Sequence, residues 1–266
     1  MSILSVRDLS LSFGGLKVLS DVSFDVHEGE IFAIIGPNGA GKTSILNIIS
    51  GFYRPTSGQV LFDDRDITAM RPDRRAALGL GRTFQNIALY RGMSVLDNIK
   101  LGAHAHLGTG LFSSLWYWGS AHREEMELRH EVEDSVIDLL EIESIRKQPV
   151  GALAYGLQKR VELARALAMR PKILLMDEPV AGMNAEETED MARFILDINE
   201  ERNIPVVLIE HDMKMIMDIS ERVLVVNFGM KLAEGKPEEV QQHPDVIKAY
   251  LGEKGAGNGR AIAACG

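Results

Sequence analysis

The architecture of this 266-residue chain is predicted most directly by Gly36-Pro37-Asn38-Gly39-Ala40-Gly41-Lys42-Thr43. An apolar run over residues 31–35 precedes this stretch, and an apolar pattern begins at Ser44, so the order is strand, glycine-rich turn and helix. Glycines let backbone N–H groups point inward around a polyphosphate, and the helix N-terminus adds the positive end of its dipole. Lys42 can reach the terminal phosphates, and the Thr43 hydroxyl can bind Mg²⁺. The stretch is therefore predicted to be a phosphate-binding loop.

The composition is that of an ordinary globular protein, with 45% hydrophobic and 25% charged residues. A formal net charge of −9 argues against a nucleic acid as the main partner, because such binding requires a basic surface. The single cysteine, Cys265, cannot form an intrachain disulfide, which fits a reducing cytoplasm. No apolar run approaches the roughly 18 residues of a membrane span, and no signal-peptide pattern is present. We expect a chain that neither spans a membrane nor is secreted.

Strand and helix patterns alternate along most of the chain, which predicts an α/β fold with a mainly parallel sheet and helices on both faces. Alternating residues over 3–13 and 18–26 predict two half-buried strands joined by a turn at Gly14-Gly15. From about residue 94 to residue 156, helical patterns replace the strands, which we interpret as a helical lobe set into the α/β core. Within it, residues 111–118 contain both tryptophans and either dock on a membrane protein or pack inside the lobe.

Polar residues follow several of the predicted strands. A strand over residues 81–85 ends in Gln85, and an apolar strand is followed directly by Asp177 and Glu178. In a nucleotide enzyme the first such carboxylate can hold Mg²⁺ and the second can polarise an attacking water. His211 follows another strand, and parallel strands end at the same sheet edge, so we expect it near the phosphates unless it is a structural histidine. These residues predict nucleotide hydrolysis.

Three further segments are interpreted here: the strand end at Phe13, the acidic residues 63–66 and the helical pattern over residues 161–169. Phe13 stands at a strand end and can stack on an adenine ring or serve as a core aromatic. The acidic residues 63–66 lack the spacing of a calcium loop and are interpreted as a solvated hairpin. Residues 161–169 are predicted to be helical and to stop before Pro171.

Taken in order, the phosphate-binding loop, Gln85, residues 153–160, the Asp177-Glu178 pair and His211 resemble an ATP-binding-cassette (ABC) ATPase. The resemblance covers about residues 3–252. It implies a P-loop NTPase (RecA-like) core with an N-terminal antiparallel β-subdomain and an inserted helical lobe. The core would occupy about residues 3–92 and 158–252, the lobe about 93–157, and a disordered tail residues 253–266.

The same resemblance implies a site completed by a second chain. Ala154, Tyr155 and Gly156 stand where the family has the signature Leu-Ser-Gly-Gly-Gln, which closes over ATP held by the opposite subunit. Because Ala154 replaces the serine, backbone N–H groups and the N-terminus of the helix after Gly156 must bind the γ-phosphate. The loop 181–184 also departs, with Asn184 where aspartate is usual.

Roles for individual residues follow from the family pattern, with ATP and Mg²⁺ as cofactors. Lys42 would hold the β- and γ-phosphates, Glu178 would activate water and His211 would contact the γ-phosphate. Gln85 would bind Mg²⁺ and report the nucleotide state to the lobe. The residues assigned to ATP are Phe13, Gly36, Pro37, Asn38, Gly39, Ala40, Gly41, Lys42, Thr43 and Ser44, with Ala154, Tyr155 and Gly156 acting in trans; those assigned to Mg²⁺ are Thr43, Gln85 and Asp177; those assigned to catalysis are Lys42, Gln85, Glu178 and His211.

Residues 13–17, 81–86, 154–156, 209–214 and 244–252 look like the ATPase subunit of branched-chain amino acid importers. That similarity implies membrane-spanning permease subunits, a second ATPase subunit, identical or paralogous, and an extracytoplasmic solute-binding protein that acts indirectly. The chain would then be peripheral, on the cytoplasmic face of the inner (plasma) membrane.

Three alternatives remain open. The first is an ATPase subunit of another transporter, such as a urea importer or a lipopolysaccharide exporter. The second is a soluble cassette ATPase working on DNA or ribosomes, although the chain has neither a long coiled-coil insertion nor a tandem cassette. The third is a regulatory nucleotide-binding module without turnover, against which the presence of Glu178 and His211 argues.

Overall fold

The computed structural model describes residues 1–103 and 135–254. The chain forms two compact units, a first unit of Met1–Ala69 with Val207–Gly266 and a second unit of Met70–Val206. The aromatic segment 111–118, the middle of the predicted helical lobe and the tail with Cys265 lie outside the described residues. Among the residues that are described, no helix has both the length and the apolar character that crossing a bilayer requires.

The secondary structure follows the predicted alternation. The first unit begins with β1 (Ser2–Phe13), β2 (Leu16–His27), β3 (Ile31–Ile35), α1 (Lys42–Ile49), β4 (Ser57–Phe62) and β5 (Arg65–Asp66). The second unit contains α2 (Pro72–Ala77), β6 (Leu80–Arg82), α3 (Val95–Ala103), 3₁₀ turns at Glu143–Ile145 and Val150–Ala152, α4 (Tyr155–Leu167), β7 (Ile173–Asp177) and α5 (Ala185–Arg202). The chain then continues through β8 (Val206–Ile209), α6 (Met213–Ile219), β9 (Arg222–Asn227), β10 (Met230–Gly235), α7 (Pro237–Gln241) and α8 (Pro244–Lys254).

An antiparallel sheet forms the N-terminal part of the first unit, in the order β2-β1-β4-β5. The predicted hairpin between β1 and β2 is confirmed, with Gly14 and Gly15 both at positive φ in its turn. Asp63 and Asp64 also take positive φ, and they connect β4 to β5 as an exposed two-residue turn. The interpretation of this acidic segment as a solvated hairpin is confirmed.

The first unit also contains a mixed sheet, in which β3 and β9 pair in parallel and the order is β10-β9-β3-β8. All five residues of β3 are buried, as expected for a strand covered on both faces. Ile216 of α6, Val240 of α7 and Val246 of α8 join β3 and β9 in one core cluster. β10 pairs antiparallel with β9 and was not predicted, because its residues are half-exposed and give no alternating pattern.

The second unit pairs β6 with β7 in parallel. β6 ends at Arg82 rather than at the predicted Gln85, so Phe84 and Gln85 lie in the loop that follows. The strand prediction was wrong there because side chains of α4, described below, bind the backbone of this loop and replace strand pairing. The helix predicted from residue 161 begins at Tyr155. The tail predicted to be disordered from residue 253 starts too early, because α8 continues through Gly252 to Lys254.

Candidate functional site

The phosphate-binding loop has the predicted local structure. It follows β3, and α1 begins at Lys42 with Gly41 as its N-cap. Gly36, at φ 150°, has no room for a side chain, because a Cβ there would lie 1.9 Å from the carbonyl oxygen of Val226. Gly41, at φ 104°, is crowded by Leu19, whose Cδ2 would lie 2.7 Å from an added Cβ. Glycine is therefore required at both positions to bring the loop this close to its neighbours.

Electrostatics at the loop favour an anion. The buried Lys42 side chain lies along the loop, where its Nζ donates to the carbonyl oxygens of Gly36 at 2.6 Å and Pro37 at 3.0 Å. The N-terminus of α1 has no side-chain cap and no acidic residue in its first turn. Thr43, in that first turn, is exposed. An ammonium group beside an uncapped helix N-terminus is the arrangement that binds phosphate.

Phe13 lies at the end of β1 with 49% of its surface exposed. Its ring meets Tyr53 edge-on, with the ring centroids 5.3 Å apart. The alternative of a core aromatic is wrong, because every residue from Ser12 to Lys17 at this end of the hairpin is exposed. The contact of Phe13 with adenine stays a prediction.

His211 belongs to the first unit, as the phosphate-binding loop does. β8 lies beside β3 in the sheet, and His211 comes shortly after β8 as an exposed residue. Its backbone N–H donates to Oε2 of Glu210 at 3.0 Å, and Asp212 caps α6. The proposed contact of His211 with a γ-phosphate remains a prediction.

The two predicted carboxylates lie at the end of β7 in the second unit, where Asp177 is its last residue and Glu178 follows it. Asp177 is 2% exposed, and Nη2 of Arg82 donates to its Oδ2 at 3.3 Å. Glu178 takes φ 52° and turns the chain out of the strand. Nε2 of Gln85 donates to Oε2 of Glu178 at 2.7 Å. The structure thus brings Gln85 to Glu178 and Arg82 to Asp177, two contacts that the sequence did not predict.

The signature segment begins α4. Ala154 is the N-cap and supplies no side-chain hydrogen bond, while Tyr155 and Gly156 already belong to the helix. A Cβ on Gly156 would lie 2.3 Å from Oε1 of Glu187, whose carboxylate forms a capping box with Asn184. The expectation that the helix starts after Gly156 is therefore wrong, because glycine is accepted in this first turn where Glu187 leaves no space for a side chain.

The loop 181–184 lies against the same segment of the same chain. A Cβ on Gly182 would be 3.4 Å from Cε1 of Tyr155. Asn184 accepts the N–H of Glu187, and Glu187 accepts the N–H of Asn184. The asparagine that replaces the usual aspartate thus acts here as a helix cap, for which asparagine and aspartate are equally suited.

A group of charged residues on α4 contacts the loop containing Gln85 and was not predicted from the sequence. Lys159 and Glu162 are 3% and 1% exposed, and burial raises the pKa of the Glu162 carboxyl above its ordinary value, against the opposing charge of Lys159. The i, i+3 spacing places both residues on one helix face, and this spacing was the sequence feature that indicated a pair. It did not suffice, because such pairs on a helix are normally solvated.

The residues assigned to Mg²⁺ suit that ion in their chemistry. Thr43, Gln85 and Asp177 offer a hydroxyl, an amide and a carboxylate oxygen, and Mg²⁺ prefers hard oxygen ligands. Since Nε2 of Gln85 donates to Glu178, its Oε1 is the atom that a cation would bind. Within the described ranges, no group of three or more histidine, cysteine, aspartate or glutamate residues is arranged to hold a metal.

Comparison with known proteins places this geometry in a family. The model of the ABC transporter family matches residues 19–181, which is more than half of the chain. The chain belongs to the ABC transporter family. A second family model, described as branched-chain amino acid ATP-binding cassette transporter, matches residues 230–256. The predicted ABC ATPase is thereby confirmed.

Curated relatives match this ABC ATPase along nearly its whole length. It is 41% identical over 251 residues to the high-affinity branched-chain amino acid transport ATP-binding protein BraF of Pseudomonas aeruginosa, covering 94% of this chain and 98% of the relative. The corresponding protein LivG of Escherichia coli K12 gives the same identity and coverage.

Solved structures of ABC cassettes confirm the predicted fold. A nucleotide-free ATP-binding cassette from an ABC transporter is 31% identical, with a TM-score of 0.81 over 94% of this chain and 99% of that one. The ADP conformation of an ABC transporter cassette gives the same identity and TM-score over 95% of this chain and 99% of that one. The chain therefore has the P-loop NTPase core with an N-terminal antiparallel sheet that the sequence predicted.

Proposed function

We propose that this chain is the ATP-hydrolysing subunit of a membrane importer for branched-chain amino acids. The observation that carries the proposal is the 41% identity that extends over 94% of this chain and 98% of relatives named for that transport. The match of residues 230–256 to a family named for the same solutes supports it independently of the ATP-binding motifs.

The phosphate end of ATP would bind at the loop that begins at Gly36. Lys42 and the N–H groups at the start of α1 supply positive charge for the β- and γ-phosphates, and Ser44 belongs to the same first turn. Phe13 presents an exposed ring to the adenine. His211 supplies a further hydrogen-bonding group for the γ-phosphate.

Water activation is assigned to Glu178. The hydrogen bond from Gln85 to its Oε2 orients the carboxylate, which would then orient and polarise a water. Thr43, Asp177 and Oε1 of Gln85 would hold Mg²⁺, which when bound neutralises charge on the phosphates. Arg82, whose Nη2 lies 3.3 Å from Oδ2 of Asp177, orients that carboxylate for the role.

A second ATPase subunit would complete each site through its own Ala154, Tyr155 and Gly156. These residues offer backbone N–H groups at the start of α4, where the N-cap residue Ala154 contributes no side-chain hydrogen bond. ATP would then draw two subunits together, and its hydrolysis would release them. The permease subunits would hold the pair at the cytoplasmic face of the inner membrane, with a solute-binding protein on the other side.

The test begins by identifying the membrane proteins that co-purify with the chain. The chain is then co-expressed with them, and the complex is reconstituted in lipid vesicles. Phosphate release should rise severalfold when leucine, isoleucine or valine is added with the cognate solute-binding protein. Stimulation by urea alone, or dependence on lipopolysaccharide, would overturn the assignment of the solute. Absence of any phosphate release from the complex would overturn the assignment as a transport ATPase.

A further inference from the structure

Two charged side chains of α4 bind the backbone of the loop that follows β6. Lys159 and Glu162 are almost fully buried, and charged side chains are rarely buried unless they are paired. Their Nζ and Oε2 atoms lie 3.8 Å apart, so each charge has a partner. Burying such a pair costs more solvation energy than an apolar pair would, so its presence is weak evidence for a role in stability.

Both side chains also bind the backbone of the loop. Nζ of Lys159 donates to the carbonyl oxygens of Phe84 at 3.3 Å and of Gln85 at 2.9 Å. Oε1 of Glu162 accepts the N–H of Phe84 at 3.3 Å. Phe84 is therefore held at both its N–H and its carbonyl oxygen, and Gln85 is held at its carbonyl oxygen, which fixes the direction in which the Gln85 side chain leaves the backbone.

A third residue continues the same face of the helix. Arg165 lies one turn beyond Glu162, and its Nη1 donates to the carbonyl oxygen of Ala88 at 2.5 Å. Three charged residues at i, i+3 and i+6 thus contact one loop segment, residues 84–88. We call this set of three, Lys159, Glu162 and Arg165, the loop clamp.

The other end of this arrangement is the catalytic carboxylate. Gln85, whose carbonyl oxygen Lys159 binds, donates to Glu178 at 2.7 Å through its side chain. The beginning of α4 is the signature segment, and Nζ of Lys159 lies 5.9 Å from the ring centroid of Tyr155. One helix therefore connects the signature segment to the residue that positions Glu178.

We propose that Lys159 and Glu162 are positioning residues that couple the signature segment to Glu178 of the same chain, by holding Gln85 against it. The proposal rests on the proposed function, in which residues 154–156 contact ATP bound by the other subunit and Glu178 activates water. When closure of the two subunits moves α4, the loop clamp moves Gln85 with it. Each chain would then set its own carboxylate only after it has engaged the nucleotide of its partner.

The test uses Lys159→Met in the full-length chain, because methionine fills a similar volume but has neither the charge nor the donors. The matched control is Arg160→Gln on the same helix, since Arg160 pairs with Asp190 and lies over Phe194 instead of the loop. Lys159→Arg is the conservative variant, which keeps the cation and its donors.

Two measurements separate coupling from a purely structural role. The first is hydrogen exchange of the amides in residues 84–88 without nucleotide, which we expect to rise about tenfold or more in Lys159→Met and to stay near wild type in both other variants. The second is steady-state ATP hydrolysis, where kcat should fall about tenfold or more in Lys159→Met while the KM for ATP changes by less than about threefold. The KM is expected to hold because the phosphate-binding loop is left intact.

Each outcome of these measurements supports or overturns either the clamp or the coupling role. Unchanged exchange at residues 84–88 in Lys159→Met would overturn the proposed clamp, whatever the rate of hydrolysis. Equal losses in Lys159→Met and Arg160→Gln, or a rise in KM with kcat unchanged, would overturn the coupling role. If the wild-type chain hydrolyses no ATP under any condition, the proposed function fails, and the exchange measurement still tests the clamp by itself.

Discussion

Nε2 of Gln85 donates a hydrogen bond of 2.7 Å to Oε2 of Glu178. The sequence suggested that Gln85 binds a metal ion, and the structure adds a second task for the same amide. Its nitrogen orients the carboxylate, and its oxygen is the atom that a cation would bind. A glutamine can do both because its amide carries a donor and an acceptor on one carbon.

Replacing Gln85 by glutamate should impair hydrolysis more than binding. The substitution puts a second carboxylate 2.7 Å from Glu178 in place of the donor, and like charges at that distance repel. We expect kcat for ATP hydrolysis to fall about tenfold to a hundredfold at neutral pH, with the nucleotide affinity little changed. A rate within about twofold of wild type, measured at saturating ATP and Mg²⁺, would contradict the role given to this hydrogen bond.

Glu178→Gln should abolish most hydrolysis and leave ATP binding intact. Glutamine keeps the size of the side chain and the bond to Gln85 but cannot take charge or polarise water as a carboxylate does. Phosphate release should fall by about two orders of magnitude or more. Glu186→Gln, at an exposed carboxylate in the first turn of α5, is the control and should keep wild-type turnover. Near wild-type activity in Glu178→Gln would exclude Glu178 as the activating group.

Gly36→Ala should destabilise the fold, because the added Cβ would lie 1.9 Å from the carbonyl oxygen of Val226. We expect the free energy of unfolding to drop by about 2–4 kcal/mol, measured by denaturant titration. Gly39→Ala separates backbone strain from crowding, since Gly39 has φ 78° but no atom would lie within 4 Å of an added Cβ. That control should lose about 1 kcal/mol. Equal losses in the two variants would show that crowding at Gly36 does not matter.

Acid should weaken the contacts of Asp25. Burial acts to raise the pKa of this carboxyl, but hydrogen bonds from Ser5 and the nearby charge of Arg7 outweigh it and hold the pKa below the ordinary value of 3.8. A lowered pKa gives stability that is complete above the unfolded value and is lost as pH falls through the folded one. Asp25→Asn should therefore cost up to about 1 kcal/mol near pH 6 and progressively less below about pH 4.

The control for Asp25 is Asp73→Asn, since Asp73 pairs with Arg71 on the exposed surface. Exposed ion pairs contribute little, so this variant should match the wild type at every pH. Thermal unfolding between about pH 3 and pH 6 measures both. A cost for Asp25→Asn that grows as the pH falls would mean that the direction of the pKa shift is wrong.

Phe13→Ala should weaken ATP binding without affecting inorganic tripolyphosphate. The exposed ring of Phe13 would stack on the adenine, and stacking of aromatic rings contributes about 0.5–1.5 kcal/mol beyond buried area. We expect the Kd for ATP to rise about threefold to tenfold in a calorimetric titration, and the Kd for tripolyphosphate to stay the same. Phe52→Ala, at another exposed phenylalanine, is the control. An equal loss for both ligands would place Phe13 outside the adenine site.

The local features of this protein could be predicted from sequence. The phosphate-binding loop, the strand that ends in Asp177, the hairpin at Gly14-Gly15 and the acidic turn before β5 all formed where expected. Each depends on residues within a few positions of one another, because glycine conformations and apolar runs act over that range. The same is true of the ordered motifs that resemble the ABC family.

Contacts between distant positions could not be predicted in this way. The Lys159 ammonium lies against the carbonyl oxygens of Phe84 and Gln85, which are 75 and 74 positions away in the chain. A charged residue on a helix gives the same sequence signal whether it is solvated or buried, because burial depends on which segment packs over it. Packing between distant segments likewise decides three other features: the early end of β6, the exposure of Phe13 and the hydrogen bond between Gln85 and Glu178. The neighbouring residues in the sequence do not indicate them.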